Sequence, residues 1–359
     1  MPPTASSIRR TRPASEASAS HGALLKQVRD AGLLRRAPLF YGLLTAGLAV
    51  ALVAVLAGLA LAGSVWVQLI YAALLGVIMT QFAFLGHEAS HRQVFQSKRA
   101  NDAFGRFLAT FVVGISYSWW MNKHTRHHAN PNRIGFDPDI EPDTIVFQPE
   151  HAKGKGRFYS WFLRRQGTLF FPMLLLEGVN LHVQGVRYLL DRRTTIPGRE
   201  REVALLVARL ITLPAFVFAV TSPGAALAVL AVQTGVFGVY MGASFAPNHK
   251  GMPQVPSELK LSFLHKQVLT SRNIEGPGMT ALLGGLNYQV EHHLFPNMAR
   301  PHLAQASRIV KDYCHTHGIP YTAVSLLSSY RTVIRHLNQV GCPDRDIFEC
   351  PMVTAYARR

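Results

Sequence analysis

The chain has 359 residues, of which 48% are hydrophobic, and its formal net charge is +17. This length fits one large domain or two smaller ones, and the positive mean hydropathy is typical of membrane proteins. A charge this positive would suit nucleic acid, but the basic residues flank apolar spans and no nucleic-acid-binding motif occurs. We therefore expect no nucleic-acid partner, and cations that anchor the chain to an anionic membrane surface. The cysteines, Cys314, Cys342 and Cys350, have neither zinc nor redox spacing, which predicts reduced, incidental thiols.

Residues 1–36 are predicted to form a disordered basic tail and a cytosolic lead-in to the membrane. The first part, up to about Ser20, is rich in Ser, Ala, Pro and Arg and has no apolar periodicity. It also lacks the apolar core of a secretory signal. Arg35 and Arg36 end the basic part that follows.

The first membrane hairpin is predicted from a charge-free run. From Ala37 to Gly86 there is no Asp, Glu, Lys or Arg. A single helix of that length would be more than twice as long as a bilayer core is thick, so the run must fold back. Gly63 and Ser64 are the natural turn, which predicts spans over about 39–62 and 65–85.

A second hairpin is predicted over about 203–221 and 225–246, with Arg209 as its only charge and a turn at Thr221–Gly224. Because basic residues favour the cytoplasmic side, we expect both termini and the inner ends of both hairpins to be cytoplasmic. The chain is therefore expected to be a multi-pass protein of the cytoplasmic membrane.

The section between the hairpins is mixed. Phe104–Trp120 is apolar but short, which predicts a re-entrant or interfacial segment. Gly156–Arg165 alternates arginines with aromatic residues, which suits a helix lying in the interface. Thr168–Leu190 is apolar too, but it holds Glu177 and His182 and is predicted to be too polar for a lipid-facing span.

Everything after the second hairpin is soluble in character, with amphipathic segments at about 303–317 and 325–339. The predicted organisation is a membrane domain over 37–340 and a C-terminal tail over 341–359.

Histidines form three clusters at helical ligand spacing. They are His87 and His91; His124, His127 and His128; and His292 and His293, which follow Gln289. A polar residue followed three and four positions later by two histidines has all three side chains on one helix face, and the first cluster is the i, i+4 version. A lone histidine is more often a surface or satisfied core residue, but three such clusters beside apolar spans indicate a metal site.

This many histidines exceeds the ligand set of a single tetrahedral zinc, so two ions are the economical interpretation. Imidazole suits iron, copper, zinc and nickel alike, so the ligands alone do not name the metal. The flanking acids Glu88, Asp137, Asp139 and Glu291 are candidates to orient the histidine rings. For Asp137 and Asp139 the alternative is an ordinary role in the surrounding turns.

The three clusters resemble the histidine boxes of the membrane fatty acid desaturases. The matching segments are His87-Glu-Ala-Ser-His91, His124-Thr-Arg-His127-His128 and Gln289-Val-Glu-His292-His293. The glutamine that opens the third segment resembles the front-end branch and its bacterial relatives, and so does Asn248–Met252. The resemblance spans about residues 39–302.

The resemblance implies an all-α integral membrane protein with four transmembrane helices in two hairpins, interfacial helices and a cytosolic helical cap that holds a di-iron site. The implied iron ligands are His87, His91, His124, His127, His128, His249, His292 and His293. The implied reaction uses O2 to introduce a double bond into the acyl chain of an acyl-CoA or acyl-lipid substrate.

Two further residues are second-tier candidates. Gln289 stands where other desaturases have a histidine, and its amide could bind iron or hold a water molecule. His182 is an ionisable residue on an otherwise apolar stretch, which makes it a functional candidate. For His182 the alternative is a helix cap or a hydrogen bond to Glu177.

One feature departs from the family pattern. Many front-end members carry a cytochrome b5 domain with a haem-binding His-Pro-Gly-Gly, and that motif is absent from this sequence. We therefore expect electrons from a separate ferredoxin-type carrier and its reductase.

Two alternatives remain open from the sequence. Related histidine-box enzymes hydroxylate lipids, alkanes or carotenoids, and the ligands do not separate hydroxylation from desaturation. A histidine-rich metal transporter would hold its ligands near the bilayer midplane on broken helices. Here the histidines begin where an uninterrupted apolar span ends, which argues against transport.

Overall fold

A computed structural model describes residues 20–342, so nearly all of the predicted disordered tail and most of the C-terminal tail, with Cys350, lie outside the described residues. Within that range the chain is predominantly α-helical, as predicted. The helices are α1 His21–Asp30, α2 Pro38–Leu61, α3 Val65–Ser90, α4 Lys98–Arg106, α5 Tyr117–Ala129, α6 Arg157–Leu163, α7 Gln166–Met173, α8 Glu177–Leu190, α9 Arg199–Val220, α10 Pro223–His249, α11 Phe263–Leu269, α12 Met279–Leu282, α13 Gln289–Leu294, α14 Leu303–Thr316 and α15 Leu326–Val340.

Five helical segments in the described range are long and apolar enough to cross a membrane, which indicates a membrane protein. Four of them, α2, α3, α9 and α10, overlap the predicted spans. The fifth is Gln166–Leu190, the segment predicted to be too polar for a lipid-facing span. It is a broken run, because a 3₁₀ turn at Leu174–Leu176 separates α7 from α8.

The centre of the molecule is the pair α3 and α10. A Cβ on Gly76 would lie 2.7 Å from the backbone oxygen of Gln233, so the absence of a side chain lets the two helices touch. Eleven positions further along α3, the His87 ring lies 6.3 Å from the ring of Phe245 on α10. The two helices therefore run parallel, and their C-terminal ends, with His87 and His249, lie at the same end of the bundle.

The segment predicted to be re-entrant is folded as a tight corner. The π-helical turn Phe107–Val113 continues α4 and ends at Gly114, whose φ of 102° is left-handed. A Cβ there would be 2.7 Å from Nε2 of His182, so the corner needs glycine for both conformation and space. The chain then reverses into α5.

Buried Glu202 of α9 fixes this corner. Its carboxylate accepts hydrogen bonds from the hydroxyls of Ser116 and Ser118, at 2.6 and 2.5 Å, and from the backbone N–H of Ser118 at 2.9 Å. The Arg106 guanidinium supplies the balancing charge at 3.2 Å. Such a satisfied network fixes where α5 starts, and α5 carries the second histidine cluster.

Helices α11, α13 and α14 pack with α1 around a second apolar core. Leu24 and Val28 of α1 are fully buried there, together with Val290 of α13 and Val310 of α14. This region also contains a departure from the all-α expectation, because Asn273–Glu275 (β1) pairs in parallel with Ala323–Ser325 (β2). Strands of three residues are too short for a recognisable alternating pattern in the sequence.

Candidate metal centre

The first histidine cluster lies at the end of α3. The helix continues past its predicted end near residue 85, so His87 is helical and His91 is the C-cap residue. The i, i+4 spacing brings the two imidazoles together, with ring centroids 4.8 Å apart.

The second cluster lies on the last two turns of α5. The ring of Trp120, one turn before the cluster, stacks on His124 with centroids 4.7 Å apart and an angle of 19°. The Nε2 atom of His124 lies 3.0 Å from that of His87 and 2.7 Å from that of His91. The first two clusters are therefore neighbours, although α4 and the π-helical turn Phe107–Val113 separate them in the chain.

His249 is held at the end of α10 by an unusual helix terminus. Pro247 has no N–H, so the carbonyl of Ala243 lacks its helical donor, and the Tyr330 hydroxyl donates to it at 2.8 Å. The guanidinium of Arg272 binds the carbonyl of Pro247 itself. Groups from outside α10 thus satisfy carbonyl oxygens of the turn that positions His249.

The third cluster lies on α13, a two-turn helix whose residues are all buried. Glu291 is held by the amide of Asn273 at 2.7 Å and by the hydroxyl of Tyr321 at 2.9 Å. Burial raises the pKa of Glu291 to about 7. Because Glu291 fixes α13 to the surrounding loops, it positions the backbone of His292 and His293.

The structure brings all eight predicted histidines together in two adjoining groups, within each of which the candidate ligand atoms lie within 4.8 Å of one another. The first group is His87, His91, His124, His128 and His292, and the second is His127, His249 and His293. The Nε2 atoms of His128 and His292 are 3.0 Å apart, and those of His127 and His249 are 3.3 Å apart. Two nitrogens that each lie about 2.1 Å from one metal ion, at right angles, are about 3.0 Å apart. The spacing therefore fits convergence on an ion.

The three histidines of the second group share a ligand-like orientation. The Nδ1 atom of each faces an acceptor: a carboxylate oxygen of Asp137 at 3.0 Å for His127, the carbonyl of Thr270 at 2.9 Å for His249, and the amide oxygen of Gln267 at 2.9 Å for His293. An Nδ1–H that donates leaves the lone pair on Nε2, which is the arrangement of metal-bound histidines. The Nε2 atom of His293 is buried without a hydrogen-bond partner.

The electrostatics favour neutral imidazoles in the first group. Burial lowers the pKa of His91 to about 3. Burial and the neighbouring imidazoles lower the pKa values of His124, His128 and His292 well below the ordinary range. Neutral imidazole is the form that binds metals.

His127 behaves differently. Burial alone would lower its pKa, but the carboxylates of Asp137 and Asp139 outweigh burial and raise that pKa above its ordinary value. The negative charge that stabilises a proton on this ring equally stabilises a cation at its other nitrogen.

The four acidic candidates have different roles. Asp137 is fully buried and contacts His127, as expected of an orienting group. Asp139 is half exposed and pairs mainly with Lys123 at 3.0 Å, with His127 further away at 3.3 Å. Glu88 does not orient a histidine, because its carboxylate is taken by Arg300.

Arg300 binds Glu88 with both arms of its guanidinium, at 2.8 and 2.5 Å. Tyr41 of α2 donates to the same carboxylate at 3.2 Å. The orienting role predicted for Glu88 rested on its position directly after His87, but adjacent side chains of a helix point about 100° apart. The fourth candidate acid, Glu291, likewise contacts Asn273 and Tyr321 instead of a histidine.

Of the two second-tier candidates, Gln289 lies at the histidine groups and His182 does not. Gln289 lies against the second group, with its amide nitrogen 2.9 Å from Nε2 of His249. His182 belongs to neither group, and its Nδ1–H donates to the carbonyl of Gly178 at 2.6 Å. The ring of His182 packs against Gly114. The chain neighbours of that glycine, Val113 and Ile115, line an apolar cavity.

An apolar cavity adjoins the first group. It is lined by Ala83, Gly86, His87, Ala109, Val113, Ile115, Tyr117, Trp120, Met241 and Phe245. His87 is the one imidazole in this lining, so the cavity reaches the first histidine group through that residue. Most of the surface that this lining presents to the cavity is apolar.

The sequence analysis did not identify two groups that are remote in sequence and accept hydrogen bonds from histidines of the second group. Gln267 and Thr270 lie on or just after α11, a short helix without a motif, and no pattern links them to histidines elsewhere in the chain. Asn248 had a signal, because it precedes His249 in the segment that resembles the family, and its side-chain amide donates to the Gln289 oxygen at 3.1 Å.

Comparison with known proteins shows the family of this chain. The family model for fatty acid desaturases matches residues 64–325, and this chain belongs to that family. The resemblance predicted from the histidine clusters is thereby confirmed.

Relatives carry the same family name. The chain is 28% identical over 304 residues to the Delta(8)-fatty-acid desaturase of Helianthus annuus, which covers 81% of this chain and 66% of the relative. It is 30% identical over 295 residues to the Delta(6)-fatty-acid desaturase fat-3 of Caenorhabditis elegans, which covers 75% of this chain and 64% of the relative. The acyl-lipid (9-3)-desaturase of Borago officinalis is 28% identical over 79% of this chain and 66% of its own length. This chain thus spans about two thirds of these relatives.

Proposed function

We propose that the chain is a membrane fatty acid desaturase that introduces a double bond into an acyl chain at a histidine-ligated di-iron centre. The observation that carries the proposal is the pair of adjoining histidine groups, one of which borders an apolar cavity. His87, His91, His124, His128 and His292 would hold one iron, and His127, His249 and His293 the other. When bound, the irons would supply the activation of O2 for attack on an unactivated C–H bond.

Gln289 would complete the smaller group. The Oδ1 atom of Asn248 is buried without a partner, while its Nδ2 donates to Oε1 of Gln289. Turning both side-chain amides over would let Gln289 donate to Asn248 and direct its own oxygen toward the second group, beside His249. Amide orientations follow from the hydrogen-bond network, and a cation in the second group would favour this one.

The protein's own residues would place the substrate. The apolar walls from α3, the Gly114 corner and α10 would open to take the acyl chain beside His87 and exclude water from it. The stacked pair Trp120 and His124 would keep that wall rigid. Substrate would be an acyl-CoA or an acyl lipid, because the cavity accounts for the chain and not for the head group.

The overall reaction would remove two hydrogen atoms from neighbouring acyl carbons and form a C=C bond. O2 would be reduced to two water molecules by the two electrons of those hydrogens and two from a donor, with two protons taken from water. A separate ferredoxin-type carrier and its reductase would supply the donor electrons.

The arrangement in the membrane follows from the helix ends. With the basic lead-in before α2 on the cytoplasmic side, α3 and α10 would both return to that side and deliver His87 and His249 there. The region after α10 would then form the cytosolic cap, with both termini cytoplasmic in the cytoplasmic membrane. Four spans remain the prediction, and the broken run Gln166–Leu190 would pack against α10 without crossing.

Lipid analysis of a heterologous host tests this function. Expression with a ferredoxin and its reductase should yield an acyl chain with one additional double bond, whose position mass spectrometry can locate. The His292→Ala variant, accumulated to the same level in the membrane, should yield none. A hydroxylated product would support a hydroxylase instead, and unchanged lipids with iron-loaded protein and active donor would refute both.

A further inference from the structure

The first histidine group has one side that is open to solvent. Of its five members, His91 and His128 are only partly buried, whereas His87, His124 and His292 are buried. These two rings lie 4.5 Å apart, so they form one edge of the group. This edge is therefore the least buried part of the first group.

Cationic side chains border that edge on both sides. Arg92 directly follows His91 and is exposed, and the guanidinium of exposed Arg36 binds its backbone oxygen. On the other side, Nζ of Lys266 donates to the backbone oxygen of Ala129, the residue after His128, at 2.6 Å. We call Arg36, Arg92 and Lys266 the basic rim.

Within the described residues, no salt bridge joins Arg36, Arg92 or Lys266 to an Asp or Glu, whereas Lys123 and Arg126 on α5 pair with Asp139 and Glu141. Residues 31–40, 91–101, 123–133 and 262–272 include no Asp or Glu. Cations without neighbouring acids attract an acidic partner over distances of about 10 Å or less at physiological salt.

Arg92 also stands in an uncommon conformation. It has a left-handed φ of 59°, at the position after the α3 C-cap where glycine is usual, and the N–H of Gln93 closes the turn on the carbonyl of Glu88 at 3.1 Å. A glycine or asparagine would be less strained there. Strain retained beside a candidate centre suggests a role for the side chain beyond the turn.

The geometry points to the basic rim as the docking surface for an acidic one-electron carrier protein. This inference rests on the proposed function and adds the location of the donor surface. Each bound carrier would give up one electron across the edge formed by His91 and His128 and leave oxidised, and two such visits would supply the two donor electrons of one turnover.

An anionic lipid headgroup is the competing occupant of any cationic patch near a membrane. The position of the rim around the two least buried histidines favours the carrier, because a lipid anchor would gain nothing from that location. Arg192 and Arg193, which are exposed in the loop after α8, provide a matched pair of cations away from this edge.

The test uses the full, iron-loaded chain in nanodiscs of neutral phosphatidylcholine. The probe is an acidic plant-type [2Fe–2S] ferredoxin, used as a redox-inert gallium form for binding and in reduced form for stopped-flow oxidation. The test variant combines Arg36→Gln, Arg92→Asn and Lys266→Gln, where asparagine is chosen because it tolerates left-handed backbone. The control variant combines Arg192→Gln and Arg193→Gln.

We expect the rim variant to bind the gallium ferredoxin at least about tenfold more weakly at low salt, and to oxidise reduced ferredoxin correspondingly more slowly. The difference should shrink at high salt. Iron content should be unchanged, and Arg92→Asn alone should give a smaller loss in the same direction if the triple variant is poorly folded. The control variant should match the native chain.

Equal ferredoxin binding by native and rim variants would overturn the inference, as would an equal loss in the control. Rim variants that lose only their binding to phosphatidylserine vesicles would assign the surface to lipid and also overturn it. The binding assay needs neither acyl substrate nor product. Ferredoxin docking on a chain that forms no double bond would therefore refute the proposed function and leave the docking surface standing.

Discussion

Asp137 gives the sharpest prediction about the second histidine group. Its buried carboxylate receives the Nδ1–H of His127 at 3.0 Å and the backbone N–H groups of Asn132 and Asp139 at 2.7 and 2.9 Å. In Asp137→Asn the side chain keeps its shape but has one acceptor oxygen in place of two. If the new amide NH2 faces His127, the ring must accept at Nδ1 and carry its proton on Nε2, where a metal would bind.

The cost can be estimated from this geometry. Loss of a group that orients a metal-bound histidine typically reduces metal affinity by about 10–100-fold, or about 1.4–2.7 kcal/mol. We therefore expect Asp137→Asn to retain the iron of the first group and to lose most of the second at micromolar free iron. Iron titration of the purified, metal-free protein, followed by absorbance and by metal analysis, measures both affinities.

Asp139→Asn is the matched control. This carboxylate is half exposed and pairs with Lys123, so its loss should weaken iron binding by no more than a few fold. Thermal unfolding of the metal-free variants separates a folding defect from a binding defect. Native iron affinity in a folded Asp137→Asn variant would refute the orienting role of this carboxylate.

Three further predictions concern packing and the cavity. Glu88→Gln leaves Arg300 buried without its counter-charge and should destabilise the protein by about 3–5 kcal/mol, as measured by denaturant unfolding in detergent. A variant as stable as the native protein would show that the pair is solvated. Gly238→Ala places a Cβ 2.4 Å from the Gly178 backbone nitrogen and should lower the yield and melting temperature of the protein. Gly224→Ala, in the same helix, adds a Cβ that has no atom within 4 Å and should change neither. Equal behaviour of the two variants would contradict the close helix contact. Ala83→Phe fills the apolar cavity and should remove most product while iron content stays native, as lipid analysis and metal analysis would show; undiminished product would mean that the acyl chain lies elsewhere.

Much of the candidate centre was predictable because helical spacing is local information. The i, i+3 and i, i+4 relations within α3, α5 and α13 follow from sequence alone, and a charge-free run too long for one crossing predicts a hairpin. The partner of Glu88 was not predictable in this way, because Arg300 is distant in sequence and is brought to it by tertiary packing. The same holds for Gln267. Asp137 was a candidate from its position near the second cluster, but the sequence left open whether its role was confined to the surrounding turn.

The ends of the helices were predicted less well for a different physical reason. Hydropathy measures transfer of each residue to lipid, and it does not register burial against another helix. His87 lies past the predicted end of its span yet remains helical in α3, which packs on α10. Gln166–Leu190 is similar, since a Cβ on Gly178 would lie 2.3 Å from the backbone oxygen of Thr234, so this run packs directly on α10.

The central claim is that the two histidine groups hold two irons that carry out desaturation. Metal analysis of the purified full chain, in fractions that form a double bond with added ferredoxin, reductase and O2, tests it most directly. We predict two iron atoms per chain, with loss of product in step with loss of iron on chelation. Active fractions that contain stoichiometric zinc and no iron would contradict it.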